Sequence, residues 1–143
     1  MKKGLIALIA FLSFSFITTT NLNSQEEELL NTCANYLKSP YIISGQPFKA
    51  FLTGDEVAEF HTTFFSGSTY RVVACSHKQN NIIFSIYDKE RNLVFSNQNH
   101  ENINFWDFKI DGSLECIIEA KLNTKQTTSG IAMLMVGFKN NTK

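Results

Sequence analysis

Proline and glycine are scarce in this chain, two and seven in 143 residues, which excludes collagen-like repeats and low-complexity linkers. No sign of charge dominates either: thirteen Lys and Arg balance thirteen Asp and Glu. Without Lys2 and Lys3 the balance becomes 11 against 13, and that is not the basic surface a nucleic-acid binder needs. Several motifs are missing: a glycine-rich phosphate loop, a serine nucleophile elbow, an HExxH helix and any CxxC or paired-His spacing for zinc. No cofactor or metal is therefore expected, and enzyme activity is not the first reading. The length suits one domain around a single core. Aromatic residues are plentiful, with thirteen Phe, four Tyr and one Trp, so the core should be rich in phenylalanine.

Lys2 and Lys3 precede GLIALIAFLSFSF, an apolar run of about 13 residues, the length of a secretory signal and short of the roughly 20 that a spanning helix needs. The polar stretch that follows places the expected cleavage between Ser24 and Gln25. Residues 1–24 thus read as a signal peptide, 25–45 as a helix and linker, and 46–139 as the folded domain. The mature protein is then expected to be secreted or periplasmic, monomeric and without an integral membrane span.

Gln25 to Lys38 has helical spacing, with Leu29, Cys33 and Tyr36 or Leu37 on one stripe. Three Glu at its start and Lys38 at its end suit the helix dipole. Ser24 would complete a capping box, which cleavage at the preferred site would remove. Ser39-Pro40 should end the helix.

Everything after that has period two. The centre is Asn81 to Asn97, where Ile82, Phe84 and Ile86 share a face, Asp88-Lys89-Glu90-Arg91 forms a charged turn, and Leu93 and Phe95 return. Around it, Phe48/Ala50/Leu52, Ala58/Phe60/Thr62/Phe64, Tyr70/Val72/Ala74, Trp106/Phe108/Ile110 and Leu114/Cys116/Ile118/Ala120/Leu122 form the inward sets of five further strands. Gly130 to Phe138 is apolar throughout and should be a central strand covered on both faces. Seven or eight strands without helical crossovers predict an all-β, antiparallel, jelly-roll-like sandwich with one short N-terminal helix, an eight-stranded barrel being the alternative.

The order Gly67-Ser68-Thr69-Tyr70-Arg71, Ile83-Phe84-Ser85-Ile86-Tyr87-Asp88, Asn92-Leu93-Val94-Phe95-Ser96-Asn97 and Trp106-Asp107-Phe108 resembles the small jelly-roll domains of the bacterial pre-peptidase C-terminal (PPC-like) type and, more loosely, the GOLD domain. The chain is also similar to small secreted proteins of Gram-negative bacteria. The resemblance covers roughly Phe48 to Phe138, implies a binding or accessory role, and transfers no site residues.

Three cysteines, Cys33, Cys75 and Cys116, allow three single bridges. Cys75 shares parity with Arg71 and Val73 while Cys116 belongs to an inward set, so a Cys75 to Cys116 bridge needs a bulge or a strand end. That pairing is nevertheless slightly preferred, with the absence of any bridge weighed about equally and Cys33 to Cys75, tying the helix to the outside of the sheet, also considered. Cys75-Ser76-His77 places a thiol near an imidazole, but nothing local lowers the thiol pKa. Asp55, Glu56, Glu59 and His61 read as a solvated face more than a cation site, since no DxDxDG loop is present. A hydrolase would draw on a carboxylate pair from Asp55, Glu59, Glu115 and Glu119. Trp106 shares its face with Phe108 and Ile110 and is assigned to the core, leaving Tyr41, Phe65 and Tyr87 as aromatics for ligand contact. The leading expectation is a non-catalytic module that binds a partner protein, a polymer such as a polysaccharide, or a cell-surface component. A carbohydrate-binding module comes second and a small hydrolase third.

Overall fold

The computed structural model describes residues 21–142, so the expected signal sequence lies almost wholly outside the described residues. Helix α1 spans Asn21–Ala34 and continues as a 3-10 turn over Asn35–Leu37. It begins before the expected start, so Ser24 lies within it instead of capping it, and the Ser24/Gln25 bond falls inside the helix. Nine strands follow: β1 (Ile42–Ile43), β2 (Phe48–Thr53), β3 (Val57–Phe64), β4 (Ser68–Cys75), β5 (Ile82–Asp88), β6 (Leu93–Ser96), β7 (Phe105–Ile110), β8 (Leu114–Leu122) and β9 (Ser129–Asn140).

The strands form two antiparallel sheets, neither closed into a barrel. In the first, β9 pairs with β4 on one side and with both β1 and β2 on the other, and β7 lies beyond β4. The second has the order β3-β8-β5-β6. Setting aside the two-residue β1 and the short β6, which pairs beside β5 as the return of the hairpin, successive strands alternate between the sheets as a jelly roll's do. Every inward set read from the period of two meets in the one core between the sheets, with Phe64, Val72, Phe84, Ile86, Ile118 and Leu134 among its most deeply buried members. Each such side chain stabilises the fold by about 1.5–3 kcal/mol. Trp106 packs at the edge of this core against Phe95.

The hairpin departs from strict alternation. Ile86 pairs with Phe95 but Tyr87 pairs with Leu93, so Val94 is an extra residue in β6. This bulge turns Leu93 outward while Phe95 remains in the core. A simple period of two had placed both on one face.

The outer face of the first sheet is covered by α1. Leu29, Cys33 and Leu37, at i, i+4, i+8, bury themselves with Tyr41 against Val73, Cys75, Met133 and Met135. This is why β9 is apolar on both faces. At the crossing the disulfide joins Cys33 to Cys75, with Cα atoms 5.9 Å apart, and Cys116 is a buried free thiol. The preferred Cys75 to Cys116 bridge is thereby corrected. Register parity decides it, because Cys75 points out of the sandwich toward the helix and Cys116 points into it. Gly137 permits the close approach at the helix's far end: a Cβ there would come 2.7 Å from a Leu37 methyl and 3.2 Å from the Ile42 carbonyl oxygen.

Candidate functional site

The three aromatics selected for ligand contact lie in different places. Tyr41 follows the cis Ser39-Pro40 peptide and is only 8% exposed. The Arg71 guanidinium lies 4.2 Å from its ring centre and the Lys139 ammonium 5.2 Å away, with Phe105 on a second side of Arg71 at 4.4 Å. Arg71 is held in turn by its cross-strand partner Asp107, through Nε and Nη2 donating at 2.7 and 2.8 Å, and it donates to the Tyr36 carbonyl at 2.9 Å. Burial opposes ionisation of Asp107, yet the Arg71 hydrogen bonds, the Tyr41 hydroxyl and the charges of Arg71 and Lys139 together outweigh it and hold the carboxyl below its ordinary range. Burial, followed by the neighbouring Asp107 carboxylate, raises the pKa of Tyr41. Tyr41 is therefore part of a cation–π stack on the covered side of the sandwich and cannot present a flat ring to a sugar.

Tyr87 lies on the outer face of the second sheet, partly buried beside Leu93 and Ser85. Phe65 differs from both, being 63% exposed in the turn between β3 and β4. That turn is fixed from several sides. The Phe65 amide donates to the hydroxyl of buried Tyr70 at 3.1 Å, and the Ser66 amide donates to Ser113 Oγ at 3.0 Å. Gly67 donates to the Ile110 carbonyl and accepts from the Asn141 amide, at 2.9 and 3.0 Å. Its φ of +86° requires glycine. The Thr69 hydroxyl also binds Asn141 Oδ1 at 2.6 Å. A large apolar ring is thus held in water on backbone that has little freedom to lose. That combination is what a binding anchor requires, because ordering costs on association are low.

On the outer face of the second sheet, Glu59 and Glu119 are direct cross-strand partners, an unfavourable pairing of like charges. Arg91, reaching over from the hairpin turn with φ +63°, resolves it by donating to Glu119 at 3.0 Å and to Glu59 at 2.7 Å, and His61 meets Glu59 at 2.8 Å. The Arg91 hydrogen bond, then that of His61, depresses the Glu59 pKa. A depressed carboxylate stabilises the fold above its unfolded pKa and loses that contribution as pH falls through the folded value. An Arg91→Ala variant should therefore show a lower urea midpoint than the parent at neutral pH, and the gap should close in acid. A gap that persisted with Glu59 protonated would locate the Arg91 effect elsewhere.

The same contacts bear on catalysis. Cys75 is oxidised and cannot act as a nucleophile with His77. Glu59 and Glu119, the closest of the carboxylates considered for hydrolysis, are both engaged by Arg91. Among the described residues no group of three or more His, Cys, Asp or Glu is arranged to hold a metal ion, and no helix is long and apolar enough to cross a membrane.

No known protein family matches the sequence, and no curated protein does. Among solved structures the fold is similar to that of PliG from Aeromonas hydrophila, a periplasmic inhibitor of g-type lysozyme, with a TM-score of 0.52 and 13% sequence identity over 71% of this chain and 90% of that one. That likeness concerns the architecture alone, a sandwich of two antiparallel sheets.

Proposed function

We propose that this protein is an exported, non-catalytic module that binds a partner protein, with Phe65 and its braced turn at the centre of the contact. The observation that carries the reading is the exposure of that ring on backbone fixed by Tyr70, Ser113 and Asn141. An isolated exposed aromatic on a mobile loop would not support it. Export is supported by the basic-then-apolar N-terminus and by a disulfide, which fits an oxidising compartment. The inhibitor fold of the structural neighbour makes a g-type lysozyme the first partner to try, although a shared fold does not transfer a partner by itself.

The test is surface-immobilised protein against g-type lysozyme, together with inhibition of cell-wall lysis by that enzyme. Saturable binding is expected, and Phe65→Ala should weaken it by about tenfold or more, as truncation of a central aromatic anchor does. The variant's unfolding midpoint should stay close to the parent's, since the ring lies in solvent. Binding that Phe65→Ala left unchanged would remove the turn from the contact. Failure to bind g-type lysozyme would reject that partner, and capture from cell envelopes with parent and Phe65→Ala protein side by side would then test the turn itself.

A further inference from the structure

At the other end of the second sheet from Phe65, two adjoining grooves share Ile83, Gln98 and Lys121 and together make one cleft, with volumes of about 270 and 400 Å³. The first runs along the sheet face past Tyr87, and the second opens between the loops that follow β6 and β8. We propose that this cleft binds a neutral pyranose oligosaccharide, a site separate from the Phe65 turn.

Three features of the cleft lead to that ligand class. Its lining includes apolar surface from Val57 and Ile83, on either side of Lys121, with Tyr87 further along the same face, and such patches suit the C–H faces of pyranose rings. Its walls carry Gln98, Asn99, Asn102 and Thr124. Amides and hydroxyls both donate and accept, as sugar hydroxyls require of a partner. None of these four side chains is committed to a hydrogen bond with another described residue. The charges cancel: Asp55 and Glu101 face Lys121 and Lys125, while Glu119 is already engaged by Arg91. An anionic or cationic ligand would find no excess of the opposite sign.

The uncommitted side chains stand on committed backbone. Asn97, fully buried, accepts from the Phe84 amide at 2.9 Å and donates to the Ile82 and Ile103 carbonyls at 2.9 and 3.0 Å. It therefore takes over the pairing of β5 where β6 stops. The 3-10 turn Asn97–His100 is pinned by this plug, with the Gln98 amide donating to Ser96 Oγ and the Asn102 amide to the Asn97 carbonyl. In the facing loop the Asn123 amide donates to the Asn81 carbonyl, and Asn123 Oδ1 accepts from the Lys125 amide. Both walls are set before a ligand arrives, so little ordering free energy is lost on binding.

The experiment is an amide NMR titration of the isotope-labelled protein with tetramers of N-acetylglucosamine, β-linked glucose and α-linked glucose, and with a galacturonic acid tetramer as the charged comparison. Saturable shifts are expected at Gln98, Asn99, Asn102 and Thr124 with at least one neutral tetramer. The affinity should fall about tenfold in Tyr87→Ala and in a Gln98→Ala/Asn99→Ala double variant. The double variant changes only side chains at the cleft wall, so it remains informative if loss of Tyr87 disturbs the sheet. The proposal is overturned if no neutral tetramer gives saturable shifts, if only the uronic acid binds, if the shifts centre on Phe65, or if neither variant weakens binding. Because the sites lie at opposite ends of the sheet, Phe65→Ala should leave sugar binding intact.

Discussion

Replacing Cys33 and Cys75 together by alanine is expected to lower the unfolding free energy by about 2–4 kcal/mol. The two cysteines are 42 residues apart, and releasing a loop of that length returns up to about 4 kcal/mol of entropy to the unfolded chain on a loop-closure model. The lower end allows for contacts that survive, since Leu29, Leu37 and Tyr41 still bury themselves on Met133 and Met135. Urea unfolding of the oxidised parent, the reduced parent and the double variant decides the matter, with the last two expected to coincide. Equal stability of all three would mean that the helix is held by burial alone. Cys116 provides the control: it is buried, and desolvation, followed by the nearby Asp88 carboxylate, pushes its pKa up to about 11. A thiol reagent should leave it unmodified in the folded protein and titrate one thiol on unfolding.

Asn97→Ala is expected to cost about 2–4 kcal/mol, because it strands a buried amide hydrogen and two carbonyl oxygens at once. Asn97→Asp separates the roles. The carboxylate still accepts from Phe84 but turns an oxygen toward the Ile82 and Ile103 carbonyls, which need donors. It should be at least as damaging as alanine at neutral pH. In acid the penalty should shrink, since a protonated carboxyl can donate once. Denaturant unfolding across pH, with hydrogen exchange of the Phe84 amide as a local reporter, measures both effects. An aspartate variant as stable as the parent at neutral pH would show that the plug is not bonded as described.

These two features differ in how far the sequence reveals them. Strand faces are legible because a sheet with one wet side repeats every two residues, as in Trp106/Phe108/Ile110. The apolar run of β9 likewise signals cover on both faces, and the stripe of Leu29, Cys33 and Leu37 signals a helix needing a surface. That these two signals answer each other is a long-range fact, and recognising it would have selected the Cys33 to Cys75 bridge. Parity alone argued for it, since Cys75 sits with Arg71 and Val73. The Val94 bulge has no local signature, so Leu93 was misplaced. Tyr41 looked free because its cover, Arg71, is distant in sequence and itself reads as a surface charge. Asn97 stands among polar neighbours, and nothing in Ser96-Asn97-Gln98-Asn99 distinguishes the one side chain that is buried. Phe65 could be noticed because it breaks the alternation beside Phe64, but the bonds that brace its turn come from Ser113 and Asn141, both remote.

The position of β9 also governs when the molecule can assemble. It follows the other described strands in the sequence, yet β1, β2 and β4, which precede it by more than fifty residues, all pair with it. An elongating chain can form the β5-β6 hairpin on its own. It cannot close the first sheet, nor complete the surface on which α1 docks, until residues 129–140 enter. Completion of the first sheet therefore waits on contacts between segments far apart in the sequence, and its rate is set by bringing them together.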